Sequence, residues 1–215
     1  LIVDAESELS VKTDLPAFTG IGGVLIGQYT ISTAVGKTDT QAYISGTAFS
    51  ANDILVDAKD TIDSNANIEL MNAGLLGYSI SSVTNLIGDK DKKESGQHTT
   101  VKLGKGASLH AYGNIHAAAL SKVSVYAGVG SSSYGLGTNC EVLAEDKICR
   151  TTEAVVEDNV KVVSEIGNLE ILAMEDDSSS VRANAIGYSG SAYSSGGPTS
   201  KIWNYSYIHT TVGGG

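Results

Sequence analysis

Hydrophobic and polar positions alternate in a five-residue motif that occurs four times along the chain. The copies are Leu1–Ala5, Ile54–Ala58, Ile115–Ala119 and Leu169–Ala173. In each copy the first and third residues are apolar and the fifth is alanine. Alternation of this kind places the first, third and fifth side chains on one face of a β-strand. The motif therefore predicts a strand whose odd positions face the interior of the protein.

The spacing of the four copies predicts a repeat protein. Successive copies begin about 53 to 61 residues apart, which is a nearly fixed period. Such a period is the signature of a fold in which successive units pack against each other. We therefore expect a single domain over residues 1–215, with repeat units of about 1–53, 54–114, 115–168 and 169–215.

The segments between the motifs predict further strands and no helices. No amphipathic helical pattern of useful length occurs, whereas β-branched, serine, threonine and glycine residues are frequent. We expect strands of about four to eight residues separated by turns. Regular repeats of short strands are typical of an all-β β-solenoid, in which each coil pairs with the next. With a coil of roughly 18–20 residues, each repeat would supply about three coils, and the rod would be roughly 50 Å long.

Composition limits the class of partner. The 215 residues include 24 acidic and 14 basic side chains, for a net charge of −10 and a pI of about 4.7. This acidity opposes nucleic-acid binding, which needs a basic surface. No apolar run reaches the roughly 20 residues of a membrane-spanning helix. The charged segment Gly88–Gly96 is bounded by glycines and predicts a loop that leaves the body of the protein.

Two sets of residues stand out as candidate specialised sites. Cys140 and Cys149 flank a polar segment, and a disulfide between them would close a hairpin-like loop in an oxidising compartment. Two separate thiols are the alternative. Trp203, Tyr205 and Tyr207 are at strand spacing and share one face. They form either an interaction patch or a cover for the last coil.

No residue pattern predicts catalysis, and we expect no enzymatic activity, cofactor or metal. The histidines lack metal-ligand spacing, and no phosphate-binding glycine motif is present. A carbohydrate-binding or carbohydrate-cleaving β-helix is the main alternative, for which the acidic clusters Asp89–Glu94 and Glu175–Asp177 are the available carboxylates. An ice- or mineral-binding solenoid is a weaker alternative, suggested by Thr38 and Thr40.

Three features recur in a fixed order and indicate a family. A glycine-aliphatic run followed by a Ser/Thr strand occupies Gly20–Thr33 and again Gly74–Thr84. The sequences Thr-x-Ala-Tyr-Ile-Ser-Gly-x-Ala, Thr40–Ala48, and Asn-Asp-Ile-x-Val-x-Ala, Asn52–Ala58, follow the first run. This pattern resembles the repeat region of large bacterial exoproteins of the filamentous-haemagglutinin and leukotoxin type, which are secreted by two-partner or related type V routes.

The resemblance implies a right-handed parallel β-helix located outside the cell or on the bacterial surface. It implies a structural or adhesive role as a stalk, fibre or adhesion surface, with no catalytic residues to carry over. Because the first motif copy starts at Leu1, we expect a segment of a longer chain or a polymerising subunit. The expected partners are further repeats or copies of the same protein, stacked end to end, and host or neighbouring cell surfaces or glycans.

Overall fold

The computed structural model describes residues 1–88 and 96–213, with the backbone alone at 16–22, 25 and 26. Strands make up 84% of these residues, and no helix occurs among them. The expectation of an all-β protein is confirmed. The charged loop expected at Gly88–Gly96 lies, from Asp89 to Ser95, outside the described residues.

The described residues form eleven strands. They are β1 (Ile2–Gly36), β2 (Asp39–Ile44), β3 (Thr47–Ser50), β4 (Ile54–Ile87), β5 (Gln97–Leu103), β6 (Ser108–Ala111), β7 (Ile115–Val156), β8 (Lys161–Ser164), β9 (Leu169–Glu175), β10 (Ser180–Ser195) and β11 (Pro198–Val212). In the part of the chain that is described, eight of them form one large parallel sheet that is nearly barrel-shaped, and β3, β6 and β8 form a second sheet.

Every pair of described strands is parallel and joins residues one repeat interval apart. Ile2 pairs with Leu55, Ile54 with Ile115, and Ile115 with Leu169. The four motif copies therefore lie side by side. We divide the described strands into four layers: β1–β3, β4–β6, β7–β8 and β9–β11.

The expected length of a coil is wrong. Ser7 and Asp60 are partners on β1 and β4 and lie 53 residues apart, and Asn85 and Asp146 are partners on β4 and β7 and lie 61 residues apart. One repeat thus supplies one layer, and four layers at about 4.8 Å each are about 19 Å tall.

The expected short strands are wrong for the same reason. β1, β4 and β7 run for 35, 34 and 42 residues, because most positions keep a partner in the next layer where the chain bends, with short register irregularities in β1. A bend in the chain therefore does not end a strand in this fold.

The largest core cluster is built around the motif. Ile54, Val56 and Ala58 are completely buried, as are the equivalent residues in β7. They pack with Leu103 of β5 and Leu109 of β6, so that strands of both inner layers enclose this cluster. Burying a large aliphatic side chain contributes about 1.5–3 kcal/mol to stability. Because the motif copies are stacked, each inner layer makes a similar contribution.

Beyond the motif, β4 and β7 each fold back on themselves and enclose a narrower core. Ser64 and Asn85, on the two arms of β4, meet across the interior, with the serine hydroxyl donating to the amide oxygen at 2.8 Å. Ile62, Ile87 and Val123 belong to the cluster nearer the motif. A farther cluster uses smaller side chains; its buried members are Ala66, Ile68, Leu70, Val83, Ala127, Val129, Cys140, Val142 and Ala144.

Candidate functional site

A column of buried and half-buried polar side chains passes through all four layers directly beyond the motif. Asp60 follows Ala58 by two positions, so it faces the same interior, and it pairs in register with Ser7 and Ser121. We call this set the polar column: Ser7, Thr38, Thr40, Asp60, Gln97, Thr99, Ser121, Arg150, Thr152, Glu175 and Ser206.

Arg150 connects the third and fourth layers of the polar column. Its guanidinium donates from Nε to Ser206 Oγ at 2.8 Å and from Nη1 to Ser121 Oγ at 3.2 Å. It also forms an ion pair with Glu175. Only 3% of the Arg150 side chain is exposed. A charge buried this deeply needs partners, so these contacts fix the position of the fourth layer on the third.

Asp60 performs the equivalent role between the first two layers. Its Oδ1 accepts from Ser7 at 2.5 Å and from Thr38 at 2.9 Å. Burial raises the pKa of Asp60, against the lowering effect of the two hydroxyl donors and of the Arg150 charge. The Oδ2 atom has no hydrogen-bond partner among the described residues, and neither does the side-chain amide of Gln97.

A second buried carboxylate lies farther along the interior. Asp146 accepts from Asn85 Nδ2 at 2.8 Å, and Asn85 in turn accepts from Ser64. Burial raises the pKa of Asp146 to about 6, although the Asn85 side chain and the Ala127 backbone N–H both lower it. The carboxylate sits between apolar clusters, so its ionised form is costly to bury.

On the outside, ion pairs and histidine contacts link neighbouring layers. Each joins residues of adjacent layers: Lys59–Glu6 at 3.2 Å, Lys102–Glu157 at 2.6 Å, His110–Glu165 at 2.6 Å, His116–Glu170 at 3.1 Å and His209–Glu153 at 3.2 Å. The Glu157 hydrogen bond raises the pKa of Lys102, and Lys102 lowers that of Glu157. Exposed pairs of this kind contribute at most about 1 kcal/mol each.

Cys140 and Cys149 are both buried, and no disulfide joins them. They are nine residues apart on β7, where the segment between them pairs continuously with β4. An extended segment of that length spans roughly 30 Å, whereas disulfide-bonded Cα atoms lie within about 7 Å. Of the two alternatives, the structure therefore has the two separate thiols, and a disulfide between these two positions is incompatible with the fold.

Trp203, Tyr205 and Tyr207 lie on β11 in the fourth layer, where each side chain is a little under half exposed. Trp203 Nε1 donates to Glu145 Oε1 in the third layer at 3.1 Å. Alternation along the strand places the three rings on one face, about 7 Å apart.

The acidic segment Glu175–Asp177 does not present paired carboxylates. Glu175 turns inward to Arg150, whereas Asp176 accepts hydrogen bonds from the backbone N–H and hydroxyl of Ser178 in its own turn. These donors lower the pKa of Asp176. Thr38 and Thr40 also turn inward, to Asp60 and Ser7, so they form no outward threonine ladder of the kind an ice-binding surface needs.

Sequence reasoning missed a surface at the end of the molecule opposite the motif. There β4 reverses direction, and Asn72 Nδ2 donates to the Tyr78 carbonyl at 3.4 Å across the reversal. β1, β7 and β10 pass the same place in register with it. We call this region the uncharged tip: residues 23–24, 71–78, 134–138 and 190–195.

Charged residues are absent from the uncharged tip and from the chain on either side of it. The four longest stretches of sequence without Asp, Glu, Lys or Arg are 15–36, 70–88, 123–140 and 183–200, and each passes through the tip. Glycine allows the layers to approach closely there, since a Cβ at Gly135 would overlap the carbonyl oxygen of Gly74. The recurrence of uncharged stretches at the repeat interval was the sequence signal that marks this surface.

In comparisons with known proteins, no protein-family model, curated protein or solved structure matches the chain. Within residues 1–88 and 96–213, no helix is long and apolar enough to cross a membrane. Across the same residues, no three His, Cys, Asp or Glu side chains are grouped to hold a metal ion.

Proposed function

We propose that this chain is a structural or adhesive segment of a bacterial cell-surface filament or secreted exoprotein. In this proposal the layers wind as a right-handed parallel β-helix, and further layers, from another copy or from more repeats, stack on both ends. The extracellular location rests on the sequence resemblance. The observation that carries the proposal is that each end layer has one paired and one open edge.

Among the described strands, β1–β3 pair only with the second layer, and β9–β11 pair only with the third. Their other edges present backbone N–H and C=O groups without strand partners, which is a template for adding another chain. The two edges belong to opposite ends of one stack, so contact between them is head to tail. A head-to-tail contact that does not close generates a filament.

The register identifies which residues would meet at such a contact. Trp203 lies beside Lys147, Lys147 beside Leu86, and Leu86 beside Val35. A second copy stacked in the same register places its Val35 against Trp203. Both are large apolar side chains that are exposed in the single chain, Val35 by 61% and Trp203 by 45%. Covering them on stacking adds apolar burial to the backbone hydrogen bonds.

Electron microscopy of the chain at rising concentration tests the proposal. We expect filaments that lengthen with concentration, and we expect Val35→Lys and Trp203→Lys each to shorten or abolish them, because each replaces apolar contact at the joint with a charged, hydrated side chain. Tyr112→Lys is the matched control, since Tyr112 is exposed on an inner layer away from both ends. Single particles at every concentration, or filaments unaffected by the two end variants, would contradict stacking.

The row of Trp203, Tyr205 and Tyr207 supports carbohydrate binding as a second candidate function. Half-exposed aromatic rings about 7 Å apart offer apolar faces on which successive sugar rings can stack. Calorimetry with a panel of polysaccharides would detect binding, and Tyr205→Ala with Tyr207→Ala should abolish it. Phe49→Ala is the control, because Phe49 is an exposed aromatic residue in the first layer. Absence of binding across the panel would remove this candidate.

A further inference from the structure

The uncharged tip carries an interaction surface distinct from the open ends. The second layer, and the third layer along β7, are covered above and below by their neighbours, so an apolar side chain exposed on them faces sideways, whereas β8 has no described strand of the fourth layer beside it. Among the described residues of these two layers, the exposed large apolar side chains are Met71, Leu75, Leu76, Tyr78, Tyr112, Tyr134, Leu136 and Ile166. All but Tyr112 and Ile166 belong to the tip.

We propose that the uncharged tip binds the uncharged tip of a second copy of this chain, so that two molecules associate side by side. Val24, Leu75 and Leu136 stack on successive layers and border an open groove of about 660 Å³. Glycines of the same three layers form part of its lining, so the tip has both apolar ridges and an apolar groove. In the proposed two-fold contact, the ridges of each copy meet the groove of the other.

Charge favours a second copy over other occupants. The chain has a net charge of −10, and its charged residues lie outside the four stretches that meet at the tip. Two acidic copies that meet side by side through a charged face repel each other, whereas two tips bring no charges together. A lipid bilayer fits less well, since the outer layers would carry their open strand edges into the hydrocarbon region, where unpaired backbone groups are costly.

The size of the tip sets the strength of the contact. The tip is about 19 Å tall, and its eight residues in the second layer span at most about 26 Å, so its area of about 500 Å² is below the roughly 800 Å² per partner of a standard stable complex. A single pair of chains should therefore associate weakly. In a stack of chains the tips form one continuous ridge, and their contacts add. The added strength of the tip contact in filaments depends on the end-to-end stacking proposed above. The tip contact between two single chains does not depend on it.

Sedimentation velocity over a range of protein concentrations tests the proposal, with Trp203→Lys and Val35→Lys present in every sample to block stacking. We expect a monomer–dimer equilibrium that strengthens with salt, because screening reduces the repulsion between acidic bodies. Leu75→Ser with Leu136→Ser should weaken dimerisation at least tenfold. Tyr112→Ser with Ile166→Ser removes exposed apolar residues of the same two layers outside the tip and should leave dimerisation unchanged.

The proposal is overturned if the tip variant dimerises like its parent, or if the control variant weakens dimerisation equally. It is also overturned if the chain stays monomeric while it binds phosphatidylcholine vesicles through Leu75 and Leu136. Leu136→Asn alone, at a side chain that is 59% exposed, provides a milder variant if the double one unfolds. Without the blocking substitutions, paired filaments support both proposals. Dimers that never form filaments support only the tip contact.

Discussion

The motif region and the uncharged tip lie at opposite ends of every layer and use apolar residues in opposite ways. At the motif, Ile54 and Ile115 are completely buried and the charged side chains lie outside. At the tip, Leu75 and Leu136 remain exposed and no charged residue lies beside them. The motif region therefore stabilises the single chain, whereas the tip has apolar surface available for another molecule. Four pairs of variants test this contrast.

The largest expected difference in the free energy of unfolding is between two variants that each truncate one aliphatic side chain, one in each region. Ile115→Ala removes a completely buried side chain from the largest core cluster and should lower the free energy of unfolding by about 3–4 kcal/mol. Leu136→Ala should change it by less than about 0.5 kcal/mol, because that side chain is already exposed. Urea denaturation of both variants measures the difference. Equal losses would show that the tip contributes to the core.

The polar column lies between these two regions. Its buried ion pair should contribute more to stability than an exposed pair on the same strand. Glu175→Gln leaves buried Arg150 without a counter-charge and should cost about 2–3 kcal/mol. Glu170→Gln, which changes the half-exposed contact with His116, should cost less than about 1 kcal/mol. Thermal unfolding of both variants makes the comparison. A mild effect of Glu175→Gln would mean that Arg150 is hydrated in solution.

Because the layers approach closely at the tip, replacing a glycine there should destabilise the protein. Gly135→Ala should cost about 2 kcal/mol, since the new Cβ overlaps the Gly74 carbonyl oxygen and the layers must separate. Gly27→Ala is the control, because its Cβ would meet no atom within 4 Å, and it should be neutral or slightly stabilising. Chemical denaturation distinguishes the two. A neutral Gly135→Ala would indicate looser stacking than described.

The smallest expected effect is a pH dependence from Asp146. Its pKa is about 6 in the folded protein, above the ordinary value of 3.8, so the folded state binds the proton more tightly. This carboxyl therefore favours folding below about pH 4, and that contribution is lost as the pH rises through 6. Asp146→Asn should stabilise the protein by about 1–2 kcal/mol at pH 8 and progressively less as the pH falls.

Asp176→Asn provides the opposite control for this pH dependence. The pKa of Asp176 is lowered by its Ser178 donors. Its contribution to the stability of the fold is therefore present above pH 3.8 and is lost only at lower pH. The effect of Asp176→Asn should therefore be constant between pH 5 and 8. Melting temperatures over this range measure both variants. A constant effect of Asp146→Asn would show that its carboxyl is not buried.

The sequence was sufficient to predict the strands at the motif and their parallel stacking, because four alternating copies at a regular interval carry that information locally. It was insufficient for the length of each layer. Ile62–Leu70 looks like a polar spacer, yet Ile62, Ala66 and Ile68 face a core while Asp63, Asn65 and Glu69 point outward. Glycine runs that suggest chain breaks lie within β1 and β4, because pairing with the next layer continues through the bend.

The interior contacts could not be predicted from the sequence, for a different reason. Arg150 meets Ser121 and Ser206, which are 29 and 56 residues away, and nothing local to Arg150 distinguishes it from a surface arginine. Only the register brings these residues together. Cys140 and Cys149 illustrate the converse, since their closeness in sequence suggested a bond that an extended strand forbids.

All of these relations depend on one claim, that each repeat forms one layer, and an engineered disulfide tests it directly. Ile80 and Glu141 are neighbours on adjacent strands although a whole repeat separates them in sequence. In a chain with Cys140→Ala and Cys149→Ala, the pair Ile80→Cys and Glu141→Cys should oxidise readily, because neighbouring strands place their Cα atoms about 5 Å apart. Ile80→Cys with Thr100→Cys should stay reduced. Oxidation of the second pair and not the first would contradict the account and support a coil of roughly 20 residues.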